Sequence, residues 1–329
     1  MKCKHPIVFK NTGNLPIPCG RCLPCTVTKR RVWTHRMMLE AGSHVDNCFV
    51  TLTYSDDNLP TEWMDEKTGQ IWPDFSLNPN HLKAFIKKLA RQYYKKYGKK
   101  IRYFACGEYG EKTGRPHYHL AIFGVPPCSG SGHKTIAGRF YPCQCPNCSF
   151  ISEIWAKGHV TVDRLESASA AYVAGYVTKK LTKNDAWTLD ILCGRHPEFA
   201  RMSRNKGLGY QAIWDFAPKI FPFVETWDDI PPYFVHNGKK WPLGRYLRKT
   251  LGLFCGLTNL DGSEIYKGEN IDNYKKNLQD LFENKVPVAW SEKALKGGLP
   301  DVALKLLNAQ SALQLEKQFE RKSYGDKKL

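Results

Sequence analysis

No stretch of this chain stays apolar long enough to cross a bilayer, and the opening segment Met1–Pro18 lacks the apolar core of a secretory leader. A membrane-spanning or exported protein is therefore not expected. Nor is there a Gly-x4-Gly-Lys-[Ser/Thr] phosphate loop: Gly130-Ser-Gly-His-Lys-Thr135 places a histidine before the lysine and lacks the spacing and the strand-helix setting. That argues against a nucleotide-driven motor. No internal repeat is present, which sets aside solenoids and propellers. Negative charge is also scarce, with 31 Asp plus Glu against 49 Lys plus Arg and a formal net charge of +18, so a polyanionic partner is expected over an acidic small molecule.

What is present suffices for a packed core. The 329 residues are 42% hydrophobic, enough for one large domain with appendages or for two ordinary ones. Thr26–Ala41 has helical composition with a basic face of Lys29, Arg30, Arg31 and Arg36. The run Cys48–Tyr54 is rich in β-branched and aromatic residues and stops at Ser55-Asp56-Asp57-Asn58, which predicts a strand ending in a turn. Asn78-Pro79 opens a helix whose Leu82, Phe85, Ile86 and Leu89 recur at helical spacing until Gly98. Ile101–Cys106 and His117–Gly124 read as antiparallel strands joined by the loop 107–116. A Cys, Gly and Pro-rich insertion, 126–148, precedes a short helix near 151–156, a strand at 159–162 and a helix from Glu166 to about Leu181. The predicted order over Cys48–Leu181 is β-α-β-β-α-β-α, an α+β domain with one antiparallel sheet flanked by helices. Beyond Met202, Pro and aromatic residues dominate as far as Trp241, followed by two or three helices and a charged tail.

The sharpest chemical feature is Pro116-His117-Tyr118-His119. A strand repeats every two residues, so His117 and His119 share a face about 7 Å apart and can grip one metal ion. Paired histidines on a surface or in a core are the alternative. Glu108, on the preceding strand, can reach the same place, with Glu111 as its competitor. Two imidazoles and a carboxylate leave positions on a divalent ion open for water and phosphate oxygens. Farther on, Tyr172 and Tyr176 lie one helical turn apart on one face, with Lys179 and Lys180 a turn beyond. Core packing alone explains many such aromatic pairs. Beside a metal site, however, a phenolate is a competent nucleophile for phosphorus.

Taken in order, the FVTLTY strand (Phe49–Tyr54), the Gly107–Gly110 segment, the His-Tyr-His strand and the Tyr-x3-Tyr helix resemble the HUH endonucleases, most closely the replication initiators of gokushovirus-type microviruses. The likeness covers about the first two thirds of the chain. It implies that His117 and His119, with Glu108 as third ligand, hold Mg²⁺ or Mn²⁺, and that Tyr176 or Tyr172 attacks the scissile phosphate. The product would be a 5′-phosphotyrosine link and a free 3′-hydroxyl primer, with later rejoining of strands in rolling-circle replication. Implied partners are single-stranded DNA, a viral replication origin and host helicase and polymerase, in the cytoplasm of an infected bacterium. A zinc-stabilised DNA-binding regulator without catalysis is the competing reading.

Eight of the twelve cysteines form two sets suited to structural zinc: Cys3, Cys19, Cys22 and Cys25, and Cys128, Cys143, Cys145 and Cys148, with His133 in reserve. Full thiolate coordination leaves no open position, so a bracing role for loops near DNA is expected. Basic aromatic stretches at 91–100, 29–36 and 245–249 can bind phosphates and stack on bases. The expected organisation is a Cys-rich segment with a basic helix at 1–45, a nicking domain at 46–200 carrying the 126–148 insertion, and an accessory region at 201–329.

Overall fold

The computed structural model describes residues 3–8, 16–111, 113–136, 139–176, 192–217, 230–236 and 238–254. They divide between two units, one drawn from Met1–Val32 and Trp214–Leu329, the other spanning Trp33–Ile213. In chain order the elements are β1 (Ile7–Val8), β2 (Pro16–Ile17), α1 (Leu23–Gly42), β3 (Asn47–Tyr54), β4 (Trp63–Met64), β5 (Ile71–Trp72) and α2 (Pro79–Tyr97). Then follow β6 (Arg102–Tyr109), β7 (Pro116–Phe123), β8 (Lys134–Ile136), β9 (Arg139–Tyr141), α3 (Pro146–Trp155), β10 (Gly158–Arg164) and α4 (Ser167–Gly175). The last are β11 (Phe199–Met202), β12 (Tyr233–His236), β13 (Lys239–Pro242) and α5 (Gly244–Phe254).

Five strands make one antiparallel sheet in the order β10-β3-β7-β6-β11, so the strand with the two histidines has hydrogen-bonded neighbours on both sides. The elements β3, α2, β6, β7, α3, β10 and α4 follow the order expected from the sequence, with the small β4/β5 and β8/β9 hairpins inserted. Helices cover both faces. On one, Val50, Leu52, Tyr118 and Leu120 meet Leu82, Phe85 and Leu89 of α2 and Ile151 and Trp155 of α3. On the other, Phe104, Ala121 and Phe123 meet Met37 of α1 and Ala170, Val173 and Ala174 of α4. Each fully buried large apolar side chain in these layers contributes about 1.5–3 kcal/mol relative to exposure.

The start of α2 is fixed locally. The Asn78 side chain accepts from the Asn80 amide at 2.9 Å, Pro79 follows it, and Gly98 ends the helix in the left-handed region at φ 67°. It is also pinned to β7, because the Tyr118 hydroxyl donates to the Asn78 carbonyl (2.9 Å), accepts from the Asn78 amide (3.0 Å) and lies 2.8 Å from the Tyr54 hydroxyl.

Several boundaries differ from expectation. β6 runs on to Tyr109, so the connecting loop shrinks to 110–115, closed by the Gly110 amide donating to the Arg115 carbonyl at 2.9 Å. α3 starts at Pro146, inside the Cys-rich insertion, because Cys145-Pro146 is itself a helix start. The edge strand β11 has no counterpart in the sequence pattern; four residues carry too little alternation to register. Its Phe199 sits over Gly107, where an added Cβ would lie 2.9 Å from the ring. The helix expected to reach Leu181 is described as far as Tyr176, and Lys179, Lys180 and the helices expected toward the C-terminus lie outside the described residues.

Candidate active site

Glu108 stands directly opposite His117 in the β6/β7 register, and Cys106 opposite His119. On the other flank, Thr53 pairs with His117 and Thr51 with His119. Paired residues share a face, so three strands bring two threonines, two histidines and one glutamate to one side of the sheet. The imidazole rings are 6.4 Å apart. Each Nδ1 is held by a hydroxyl: His117 by Thr53 at 2.9 Å and His119 by Thr51 at 3.0 Å. That arrangement turns both Nε2 atoms away from β3. His119 Nε2 lies 2.6 Å from Glu108 Oε1. His117 Nε2 faces Gly110, where even a methyl group would approach it to 2.9 Å.

Burial lowers the pKa of His117, and the neighbouring His119 lowers it further against the opposing pull of Glu108, which favours the neutral, ligand form of the ring. Glu108 is 5% exposed. A neutral imidazole pair held at Nδ1, a buried carboxylate and a side-chain-free gap at Gly110 suit a divalent cation by donor chemistry and by space.

The α4 tyrosines meet this cluster at Glu108. Tyr172 donates its hydroxyl to Glu108 Oε1 at 2.7 Å and its ring stands edge-on to His119 at 5.2 Å. Tyr176, one turn later, donates to the Tyr172 hydroxyl at 3.1 Å. The two differ in access, with Tyr172 43% exposed and Tyr176 7%. Burial, followed by the hydrogen bond to Glu108, raises the Tyr172 phenol above its ordinary pKa. Glu111, the other carboxylate considered, lies exposed in the 110–115 loop.

From sequence, Thr51 and Thr53 register only as strand formers. The signal that could find them is parity: Thr-x-Thr on one strand beside His-x-His on its neighbour aligns hydroxyls with imidazoles. Arg115 is a brace instead, donating from Nε to the Tyr54 carbonyl at 3.2 Å and pairing with Asp56.

Both cysteine sets are gathered. In each, all four Sγ atoms lie within 4.8 Å of one another. Measured separations are 3.9 Å for Cys19–Cys25 and Cys3–Cys22, 3.5 Å for Cys128–Cys143 and 3.8 Å for Cys128–Cys145. A tetrahedral zinc with Zn–S of about 2.3 Å requires about 3.8 Å between sulfurs, so both clusters can hold a metal ion of that kind. Amides point at the sulfurs: Cys19 N to Cys3 Sγ at 3.2 Å and Lys4 N to Cys22 Sγ at 3.3 Å. Burial opposes the Cys19 thiolate, but the Arg21 and Cys22 amides outweigh it and bring the thiol down to about 6. Cys145 falls to about 5 by the same balance, with the Cys148 and Ser129 amides prevailing over burial. His133 is not a ligand here; its ring stacks on Phe140 at 5.5 Å.

Residues 47–181 match the family of replication-associated proteins of the ORF2 type. The chain is 37% identical over 199 residues to Replication-associated protein ORF2 of Spiroplasma virus 4, covering 60% of this chain and 57% of that protein. It is 33% identical over 240 residues to Replication-associated protein VP4 of Bdellovibrio phage phiMH2K, covering 73% and 68%. With Replication-associated protein ORF4 of Chlamydia phage 1 it shares 33% identity over 241 residues, 72% of this chain and 54% of that one. The chain thus spans little more than half the length of two of these relatives. No solved structure matches it.

Proposed function

The chain belongs to the microvirus-type replication-associated proteins, and from that membership we propose that it starts rolling-circle replication by nicking single-stranded DNA at the viral origin. In this reading it is an HUH-type endonuclease and strand transferase. His117, His119 and Glu108 hold Mg²⁺ or Mn²⁺, and the bound ion supplies a Lewis acid for the scissile phosphate. Thr51 and Thr53 orient the imidazoles. Tyr172 makes the first attack: its phenol oxygen bonds to phosphorus, the P–O3′ bond breaks, the phenol gives up its proton, and the departing O3′ is protonated to a primer hydroxyl. The 5′-phosphotyrosine keeps the phosphodiester energy, so the reverse displacement rejoins strands without ATP. Tyr176 is the second nucleophile, and Lys179 or Lys180 adds positive charge near the phosphate.

One observation carries this reading. A single carboxylate oxygen, Glu108 Oε1, accepts from both Tyr172 and His119, so nucleophile and ligand chemistry converge on one point. The greater exposure of Tyr172 supports it over Tyr176 as the group that meets DNA first. Zn²⁺ in the two cysteine sets braces the 3–25 segment and the 126–148 insertion, residues 46–200 form the nicking domain and 201–329 an accessory region. Host helicase and polymerase extend the primer in the bacterial cytoplasm.

The test uses purified protein, Mg²⁺ or Mn²⁺, and single-stranded DNA bearing the origin. A denaturation-resistant adduct is expected for wild type and for Tyr176→Phe, and none for Tyr172→Phe. An adduct that survives Tyr172→Phe reassigns the first nucleophile. Cleavage without an adduct refutes tyrosine chemistry, and binding without cleavage in either metal leaves the DNA-binding regulator.

A further inference from the structure

The residues of α2 contain six cations, Lys83, Lys87, Lys88, Arg91, Lys95 and Lys96, and no acidic residue. All but Lys96, which stands over the rings of Tyr97 and Phe150, lie on one exposed side. At 3.6 residues per turn, these five positions fall within an arc of about 140°. Exposed Tyr94 lies in the same arc, while Leu82, Phe85, Leu89 and Tyr93 occupy the buried side. Among the described residues no ion pair involves any of the five. Such a helix face repels itself and gains by taking up a polyanion.

Beside it lies a cavity of about 230 Å³ between α2 and α3. His81, Phe85, Ile154 and Trp155 wall it, and Lys88 and Lys157 supply its charge. The His81 ring is fixed by the Tyr54 hydroxyl at 2.9 Å on Nδ1. Burial, with Lys157 nearby, brings its pKa down to about 4, so the ring is neutral where a heterocycle would lie against it. Small-molecule sites occupy about 300–1,000 Å³, and this space is smaller, of a size for a single flat ring system. This face of the sheet is opposite the one carrying His117 and His119, so whatever binds here is not the scissile phosphate.

We propose that the cationic face of α2 and the adjoining α2/α3 cavity form a second single-stranded DNA site, in which the cations take successive phosphates and the cavity takes one unpaired base. The proposal rests on the reading that DNA is this protein's substrate. Lys83 to Lys95 spans about 18 Å of helix, the length of about five phosphates at about 3.4 Å per nucleotide. A duplex offers the same phosphates but keeps its bases stacked, so the aromatic-walled cavity selects an unpaired strand. The segment held here flanks the cut.

The test is fluorescence anisotropy of labelled oligo(dT) on the full chain across a salt series, comparing wild type with the combined Lys83→Gln, Lys87→Gln, Lys88→Gln and Arg91→Gln variant. Glutamine keeps these exposed positions helical. At about 0.7 per phosphate for single strands, the log–log salt slope is expected to become shallower by about 2–3, with affinity at least about tenfold weaker at physiological salt. Ala84→Trp, at the cavity mouth, fills the space. It is expected to weaken oligo(dT) by about fivefold or more while leaving an abasic strand of equal length unaffected. An unchanged slope, a loss confined to duplex DNA, or an equal Ala84→Trp effect on the abasic strand overturns the proposal. Adduct formation at the origin is scored separately. A shallower slope in a protein that never forms an adduct refutes nicking and keeps the strand site; normal adducts with an unchanged slope do the reverse.

Discussion

Replacing Thr51 and Thr53 by valine isolates the part of the site that the sheet register builds. Valine keeps the branched shape and the strand preference, so the change removes two hydroxyls and little else. Each hydroxyl lies 2.9–3.0 Å from an imidazole Nδ1. A hydroxyl can donate to a bare Nδ1 or accept from a protonated one, so threonine serves either tautomer, including the Nδ1–H form that frees Nε2 for a cation. Each net hydrogen bond contributes about 0.5–1.5 kcal/mol, so the double variant loses about 1–3 kcal/mol of ring orientation, or about 5–150-fold in Mn²⁺ affinity. Removing the hydrogen-bond partner of a metal-bound histidine commonly costs about 10–100-fold, which falls inside that range. The melting temperature of a unit this size should fall by only about 2–4 °C per kcal/mol. Direct Mn²⁺ binding by calorimetry and the Mn²⁺ midpoint for adduct formation should shift together, and Thr→Ser at both positions should restore both. A double valine variant with Mn²⁺ affinity within about twofold of wild type would refute the orienting role.

Other changes test neighbouring parts. Gly110→Ala brings a methyl group to 2.9 Å from His117 Nε2; because the ring can yield, the fold should survive with a melting temperature near wild type while Mn²⁺ affinity falls by about tenfold or more. Tyr118→Phe strips the partner from the Asn78 amide and carbonyl and from the Tyr54 hydroxyl, and chemical denaturation should show a loss of about 1–3 kcal/mol. Purified protein should carry two equivalents of zinc by elemental analysis, with Cys22→Ser and Cys143→Ser each releasing one, since the two sets share no ligand. A single equivalent, or loss of both ions from either change, would contradict two independent sites.

The sheet is legible in the sequence because its strands are long and patterned. In Asn47–Tyr54 every second residue is buried, and the same alternation places Tyr118 inward while His117 and His119 share the opposite face. The placement of Glu108 follows from the hairpin: nine positions before His117, it is the residue opposite it. The start of α2 is marked by Asn78-Pro79, whose cap is formed. What the sequence leaves hidden depends on pairs distant along the chain. Nothing local in Phe199–Met202 indicates that β6 has room for another strand, and the fit of Phe199 over Gly107 joins residues from two separate segments. The threonine hydroxyls are hidden for a like reason, because their roles exist only once β3 is aligned with β7. The basic stretch 91–100 is visible as composition, but its continuation to Lys83 and its side of the sheet require the helix to be seen packed.

The position of β7 explains how so many groups can be held to one geometry. A central strand is hydrogen-bonded on both edges, and a slip of one residue would exchange its faces, sending His117 and His119 into the α2/α3 core and Tyr118 out of it. Tyr118 opposes that slip directly, since it stands between the two histidines in sequence while its hydroxyl is fastened to the Asn78 backbone on the other face. Register and ligand geometry are therefore held by one residue acting from behind the sheet. On the near face, β3 supplies the threonines, β6 the carboxylate and α4 the tyrosines, each from an element packed into the core. Sites built on such elements keep tighter geometry than sites built on loops. Glu108 then joins the parts: one oxygen of a buried carboxylate accepts from His119 and from Tyr172, so displacing either partner alters the hydrogen bonding available to the other. Mutations at Glu108, His119 and Tyr172 should consequently be non-additive, because they remove members of one connected network.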